Sequence, residues 1–323
     1  MHLSIRFMLC CCFVLSLLTA CGEQTAAPAS ASAAASKPAA PKKPQIALVM
    51  KTQSNPFFVS MEKGARRAEN ELGVELLVRS ASSETSIEHQ ILLIDELIDQ
   101  KVDAIVIAPA DSTRLVPALK RAQQAGIKLV NIDNQLSKEA LERAQMPVVP
   151  FISVDNEDAS YRAVKYLLKD VKGPVQMGIL EGIRSAENAS ARLQGAQRAI
   201  AEKPQVKLVA SESANWKIDE AYQQTERIFK KHPGITVMFC ANDMMALGAL
   251  KYLQDKGRKD VLIGAYDGVE DVRLAIRDGK IAVSVDQQAA QQGYQGIKLA
   301  LQLLQGKPAA PVTMVDALLL HAN

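Results

Sequence analysis

Gln45-Ile46-Ala47-Leu48-Val49-Met50-Lys51-Thr52-Gln53-Ser54-Asn55-Pro56-Phe57-Phe58 sets a pattern that the rest of the chain repeats. The opening run, Gln45–Met50, has the length and apolar character of a strand buried on both faces. Asn55 stands where a helix N-cap belongs, and Pro56 takes the first helical position, where a missing N–H costs nothing. Helical periodicity over 57–72 ends at Gly73, the residue best suited to the left-handed turn that closes a helix. The segment therefore predicts strand, loop, capped helix. The same alternation continues with strands at 74–78, Ala104–Ile107 and Lys128–Ile132 and helices at 86–100 and 114–125. Repeated βα units predict a parallel sheet covered by helices on both faces.

The rhythm restarts after Pro150. Helices are predicted at 158–168, 191–201, Ile218–Lys231, Asp243–Asp255, Glu270–Arg277 and 290–304, and strands at 175–180, 206–210, 235–239, 261–265 and 281–285. Two βα series of similar length predict an α/β protein of two lobes rather than one wide sheet.

Ahead of Gln45 the chain has a different character. Arg6 precedes the apolar run 7–18, which is short for a membrane span and fits the core of an export signal. It closes with Leu18-Thr19-Ala20-Cys21, a quartet that resembles the lipobox of bacterial lipoproteins, with Cys21 as acyl acceptor. Residues 1–20 are thus expected to be a signal peptide. Residues 21–44, the lipidated cysteine and an Ala/Ser/Pro/Lys stretch, are expected to be a tether with too little apolar surface to fold. Removing the signal takes Cys10, Cys11 and Cys12 with it, and lipidation uses Cys21. Only Cys240 remains, in the apolar run Val237-Met238-Phe239-Cys240, so neither a disulfide framework nor a thiolate metal site is expected. The formal net charge of +3 is spread along the chain without a basic cluster, which argues against nucleic acid as a partner.

In open parallel sheets, ligands sit beyond the carboxyl ends of the strands. The residues there form a consistent set: Lys51, Asn55, Phe57 and Phe58 after the first strand, Asp111 after the third, and Asp133 and Asn134 after the fourth. The second half adds Trp216, Asn242, Asp243, Asp267 and Gln287. Carboxylates accept strong hydrogen bonds from hydroxyls, amides supply donors and acceptors, and aromatic faces cover the C–H faces of a sugar ring. Each position also has a plain alternative. Asn55, Asp133 and Asp267 are residue types of caps and turns, while Phe57, Phe58 and Trp216 are ordinary packing residues.

The segments Asn55-Pro56-Phe57-Phe58, Pro109-Ala110-Asp111-Ser112, Val130-Asn131-Ile132-Asp133, Ala241-Asn242-Asp243-Met244-Met245-Ala246-Leu247-Gly248 and Tyr266-Asp267-Gly268 resemble those of the ribose-type periplasmic sugar-binding proteins. The resemblance runs from Gln45 to the C-terminus. It implies a type I periplasmic binding fold: two Rossmann-like lobes joined by three hinge crossovers near Val154, Gln287 and Thr313, with 45–153 plus 288–313 as one lobe and 154–287 plus 314–323 as the other. It also implies a single sugar held between Phe57 and Trp216, with Phe58 at the side, Asp133 and Asp267 on hydroxyls, and Asn55, Asn242 and Gln287 in the walls. The sequence departs from the ribose pattern at Lys51, Ala108, Asn134 and Ser190, while Arg192 keeps a nearby arginine of the family. Lys51 has two readings, as a donor to the solute or as the partner of Asp133 or Asp111. A similar lysine in the fructose-binding branch makes a ketose one expectation. Arg192 is either a ligand contact or a salt-bridged helix residue.

The functional expectation is the solute-capturing lipoprotein of an ABC importer, with a permease as partner and no cofactor; Glu69 and Glu270 are candidate docking carboxylates. The same fold serving a receptor kinase or chemoreceptor is the alternative. A transcription regulator would need a helix-turn-helix where the signal and tether stand. The chain has no Gly-x-Ser-x-Gly elbow, phosphate loop, metal-spaced histidine pair or Cys-His couple, so an enzyme is not expected. An Asp133/Asp267 glycosidase pair suits the surrounding amides and rings less well than binding does.

Overall fold

The computed structural model describes residues 42–322. The signal segment, Cys21 and nearly all of the tether lie outside them. Among the described residues no helix is long and apolar enough to cross a membrane.

The first βα series runs β1 (Gln45–Met50), α1 (Pro56–Leu72), β2 (Glu75–Ser80), α2 (Ile87–Asp99), β3 (Ala104–Ile107), α3 (Val116–Gln124), β4 (Lys128–Ile132), α4 (Lys138–Arg143), β5 (Phe151–Ser153). The second runs α5 (Asn156–Leu167), β6 (Val175–Glu181), α6 (Glu187–Ala201), β7 (Val206–Ser213), α7 (Ile218–Lys231), β8 (Ile235–Cys240), α8 (Asp243–Asp255), β9 (Leu262–Gly264), α9 (Glu270–Arg277), β10 (Val283–Asp286). Then follow α10 (Ala289–Leu304), β11 (Val312–Met314) and β12 (Leu318–His321). One sheet has the order β11-β5-β4-β3-β1-β2 and the other β12-β10-β9-β8-β6-β7. The two windings are the same: the first strand of each series sits between its second and third. That arrangement puts a topological switch point, and hence a crevice, at the carboxyl ends of β1 and β3 in one sheet and β6 and β8 in the other.

The period of two along β1 explains why it is apolar throughout. Ile46, Leu48 and Met50 join the core that includes Phe58, Met61 and Ala65 of α1, while Ala47 and Val49 join Leu93, Ile94 and Leu119 on the opposite face. Helix α1 starts as its sequence dictates. The Asn55 side chain accepts from the Phe57 N–H at 3.0 Å, Pro56 is the first residue, and Gly73 closes the helix at φ 69°. On the same face, α1 and α10 approach until a Cβ on Gly64 would collide with the Ala290 carbonyl, and one on Gly293 with that of Met61.

The chain passes between the sheets three times, after β5, after β10 and after β11. Among the described residues, the last passage produces the one departure from parallel order. Strand β11 runs alongside β5 toward the cleft, and the chain then enters the second sheet heading away from it, so β12 pairs antiparallel with β10. Pattern reading left out α4, β5, β11 and β12, whose few residues are too short to show a period. Helix α6 begins a turn earlier than expected, and β7 continues through Ser211 and Ser213, whose polar side chains hid it.

Candidate functional site

The carboxyl ends of both sheets face one small buried cavity. The first series lines it with Lys51, Asn55, Phe57, Phe58, Glu84 and Asp133, and the second with Asn188, Arg192, Trp216, Asn242, Asp267 and Gln287. All are at most 8% exposed. A wider solvent-open groove lies beside it between α1 and the start of α9, with Lys63, Arg67, Glu270 and Arg273 on its walls. That groove has the greater volume, but its charged side chains are ordinary solvated surface; the buried polar groups converge on the smaller space.

The cavity carries two charge pairs. Lys51 Nζ lies 2.8 Å from Asp133 Oδ2. The contact is coulombic rather than an aligned hydrogen bond, since Asp133 Oδ2 has no hydrogen-bond partner. Arg192 Nη1 lies 3.7 Å from Asp267 Oδ1 and donates to the Ala241 carbonyl at 2.8 Å, and its Nε donates to Asn156 Oδ1 at 2.9 Å. The Tyr266 ring, 3.8 Å from the guanidinium, completes its surroundings. Gln287 Nε2 donates to Asp267 Oδ1 at 2.5 Å. Burial pushes the Asp267 carboxyl well above the usual range, with Arg192 pulling the other way.

Several groups in this space have hydrogen-bonding capacity that the protein leaves unused. Asp133 Oδ2, Asn188 Oδ1, Trp216 Nε1 and Gln287 Oε1 are buried without a partner. Leaving such atoms unsatisfied costs roughly 1–3 kcal/mol each, so a cluster of them marks a place built for a polar guest. The backbone is strained at the same spot: Asp133, Trp216 and Asp267 have φ of 64°, 66° and 135°. Asp243 holds the last of these turns, accepting from Val269 N–H and Ser284 Oγ at 2.7 Å each. The Trp216 indole packs so close to Gly182 that a Cβ there would fall on its ring carbons.

The chain matches the periplasmic binding protein domain over residues 46–308. It belongs to the periplasmic binding protein family. The ribose-type resemblance holds against individual relatives of this binding protein. It is 37% identical over 270 residues to the D-ribose/D-allose-binding protein of Pseudomonas aeruginosa, covering 83% of this chain and 84% of that one. It is 30% identical to the D-allose-binding periplasmic protein of Escherichia coli, covering 79% and 83%. An ABC transporter periplasmic solute-binding protein from Actinobacillus succinogenes, solved with bound D-allose, superposes with a TM-score of 0.82 at 36% identity, covering 86% of this chain and 98% of that one. The family is one of solute-binding proteins, not enzymes.

Of the residues singled out from the sequence of this binding protein, Asp111 and Asp243 do not line the cavity, and neither does Asn134. The left-handed turn at Asp133 swings it away, and its amide donates to the Pro109 carbonyl at 3.0 Å and to Ser112 Oγ at 3.2 Å. Asp111 is not the partner of Lys51 either; it accepts from Thr113 and Arg114 N–H. Arg192 is a salt-bridged helix residue of α6, paired with Asp267 at 3.7 Å, and it also lines the cavity. Asn55 and Asn242 combine both readings, since each caps a helix and lines the cavity. Glu69 is no free docking carboxylate: it accepts from Leu76 N–H at 2.9 Å and from Arg66 at 3.0 Å.

Glu84 and Asn188 escaped the sequence reading. Glu84 accepts from Asn55 Nδ2 at 2.9 Å, and burial pushes its carboxyl up to about 7 against the pull of Lys51. A carboxyl raised in the folded state stabilises most below its ordinary value of 4.5 and loses that contribution as pH climbs through about 7. The melting temperature of the ligand-free protein should therefore fall across this window, with about 3 kcal/mol attributable to this group. Asp243, pushed up to about 6 by burial, acts with the same sign. Glu84→Gln should flatten the slope in part; an identical slope in the variant would assign the dependence elsewhere.

Proposed function

We propose that this protein is the solute-capturing component of an ABC sugar importer, and that its cavity takes one neutral monosaccharide, an aldose of the ribose and allose class. The observation that carries this reading is the meeting of carboxylates, side-chain amides and aromatic rings from both βα series around one buried space. Both cations already face carboxylates, so a sugar acid would bury a charge without a partner. In this reading Phe57 and Trp216 cover the two faces of the ring and Phe58 its side. Asp133, Asp267, Asn188 and Gln287 accept from hydroxyls.

The proteins of Pseudomonas aeruginosa and Actinobacillus succinogenes, one named for ribose and allose and the other holding allose, support the aldose class. Lys51 has a reason to be present in its contact with Asp133, independent of any keto oxygen, so ketoses rank second. Entry to a space this buried requires the lobes to part, with the three crossovers as hinges. Export, a lipid on Cys21 and a permease that receives the loaded protein complete the proposal.

The test is a thermal-shift screen over aldopentoses, aldohexoses, ketoses, polyols and sugar acids. Ribose or allose should raise the midpoint by mass action, equivalent to about 2.7 kcal/mol at a hundred-fold excess over Kd. A response to sugar acids alone, or to no neutral sugar, would sink the reading.

A further inference from the structure

Helix α6 carries two of the cavity residues, Asn188 and Arg192, yet it begins without a cap of its own. Its N-cap position is Ala186, which has no side chain to offer the first turn. The exposed N–H groups of that turn are instead satisfied from the first lobe. Glu187 N–H donates to Ser112 Oγ at 3.0 Å, and Asn188 N–H donates to Asn134 Oδ1 at 3.2 Å. A third bond follows the same seam, from Ser112 N–H to the Ser185 carbonyl at 3.3 Å. The two capping side chains are held in place by each other and by the Pro109 carbonyl, and both are buried. Immediately beyond the seam, Asn188 Oδ1 points its unused acceptor into the cavity.

We infer that Ser112 and Asn134 are positioning residues: they cap α6 in trans, so that joining the lobes and fixing Asn188 and Arg192 at the ligand are one event. The inference rests on the proposed function in that the lobes must part to admit a sugar. When they part, both N–H groups lose their caps to water. When they meet, a helix that cannot finish its own first turn is finished by the opposite lobe. Ligand affinity then depends on two residues that do not touch ligand, through the closing equilibrium rather than through contact.

The experiment measures D-allose dissociation by stopped-flow, using the emission of Trp216, in wild-type protein and in Ser112→Ala, Asn134→Ala, Asn134→Asp and the double alanine variant. Each alanine variant should dissociate about five-fold faster and the double about 25-fold faster, the size that lost helix caps imply. Association should stay within about two-fold, and the ligand-free melting temperature should be unchanged. Asn134→Asp keeps an acceptor for Asn188 N–H but cannot donate to the Pro109 carbonyl, so it should dissociate faster than wild type and more slowly than Asn134→Ala. Adding Ala186→Ser to Asn134→Ala supplies a cap in cis and should leave dissociation fast, because α6 is then capped in the parted form as well. Unchanged dissociation in the alanine variants, or an equal loss of melting temperature with and without sugar, would overturn the inference. If wild-type protein ignores D-allose, the functional reading has failed separately. The dissociation series is then run with whichever sugar raises the midpoint in the screen, and equal rates in wild type and the double variant count against the trans cap.

Discussion

Replacing Asp133 by alanine should cost about 3–5 kcal/mol of folding stability, the usual penalty for stripping one partner from a buried ion pair, and should abolish the response to sugar. Lys51 and Asp133 are each only 3% exposed in their side chains and lie 2.8 Å apart. Without the carboxylate, the ammonium stays buried with no opposing charge so near. The double variant Lys51→Met/Asp133→Leu should recover most of the loss, because a hydrophobic pair of similar volume avoids the desolvation cost of both ions. It should still fail to bind, since the hydroxyl-accepting carboxylate is gone. Chemical denaturation gives the stabilities, and the thermal-shift response to ribose and allose gives the binding. A single variant as stable as the wild type, or a double variant that binds normally, would show that the pair does not hold the position assigned to it.

Gly182→Ala should weaken sugar binding by about 100-fold, equivalent to about 2.7 kcal/mol. The new methyl would occupy the plane now covered by the Trp216 indole. Overpacking of this kind costs about 1–3 kcal/mol, and the ring can escape only by abandoning the face it presents to the cavity. Trp216 is the sole tryptophan of the chain, so its fluorescence reports the displacement without labelling. The variant should emit at longer wavelength and lose the change that sugar produces in the wild type. Unaltered emission together with unaltered affinity would mean that the backbone absorbs the methyl and that the close approach has no consequence.

What the sequence disclosed about the site follows from how local its signals are. Asn55-Pro56 before an apolar helix declares a cap, and a polar residue directly after an apolar strand declares a crevice; both statements need only neighbouring residues. Glu84 carries no such mark. It sits in the polar turn Ser82-Ser83-Glu84-Thr85, and only the pairing of β2 beside β1 brings that turn to the cavity. Asn188 was invisible because α6 starts at an alanine cap, so the period is legible only further along the helix. Asn134 was misplaced because adjacency to Asp133 says nothing about a left-handed turn between them. The repeated winding was legible as alternation, whereas the edge strands depend on distant partners, β11 on β5 more than a hundred positions back and β12 on β10 across the passage through the other sheet.

Those two edge strands also govern how the molecule can be divided. Residues 312–321 deliver one border strand to each sheet, and α10, which precedes them, covers the core of β1 and α1. A gene fragment ending at β10 would encode the second series without its last border and the first without its covering helix. A symmetrical-looking duplication is thus stitched at its tail, and complementation between separately expressed halves should succeed only when the tail travels on one of them. During synthesis, neither half can complete its sheet until that final stretch has emerged.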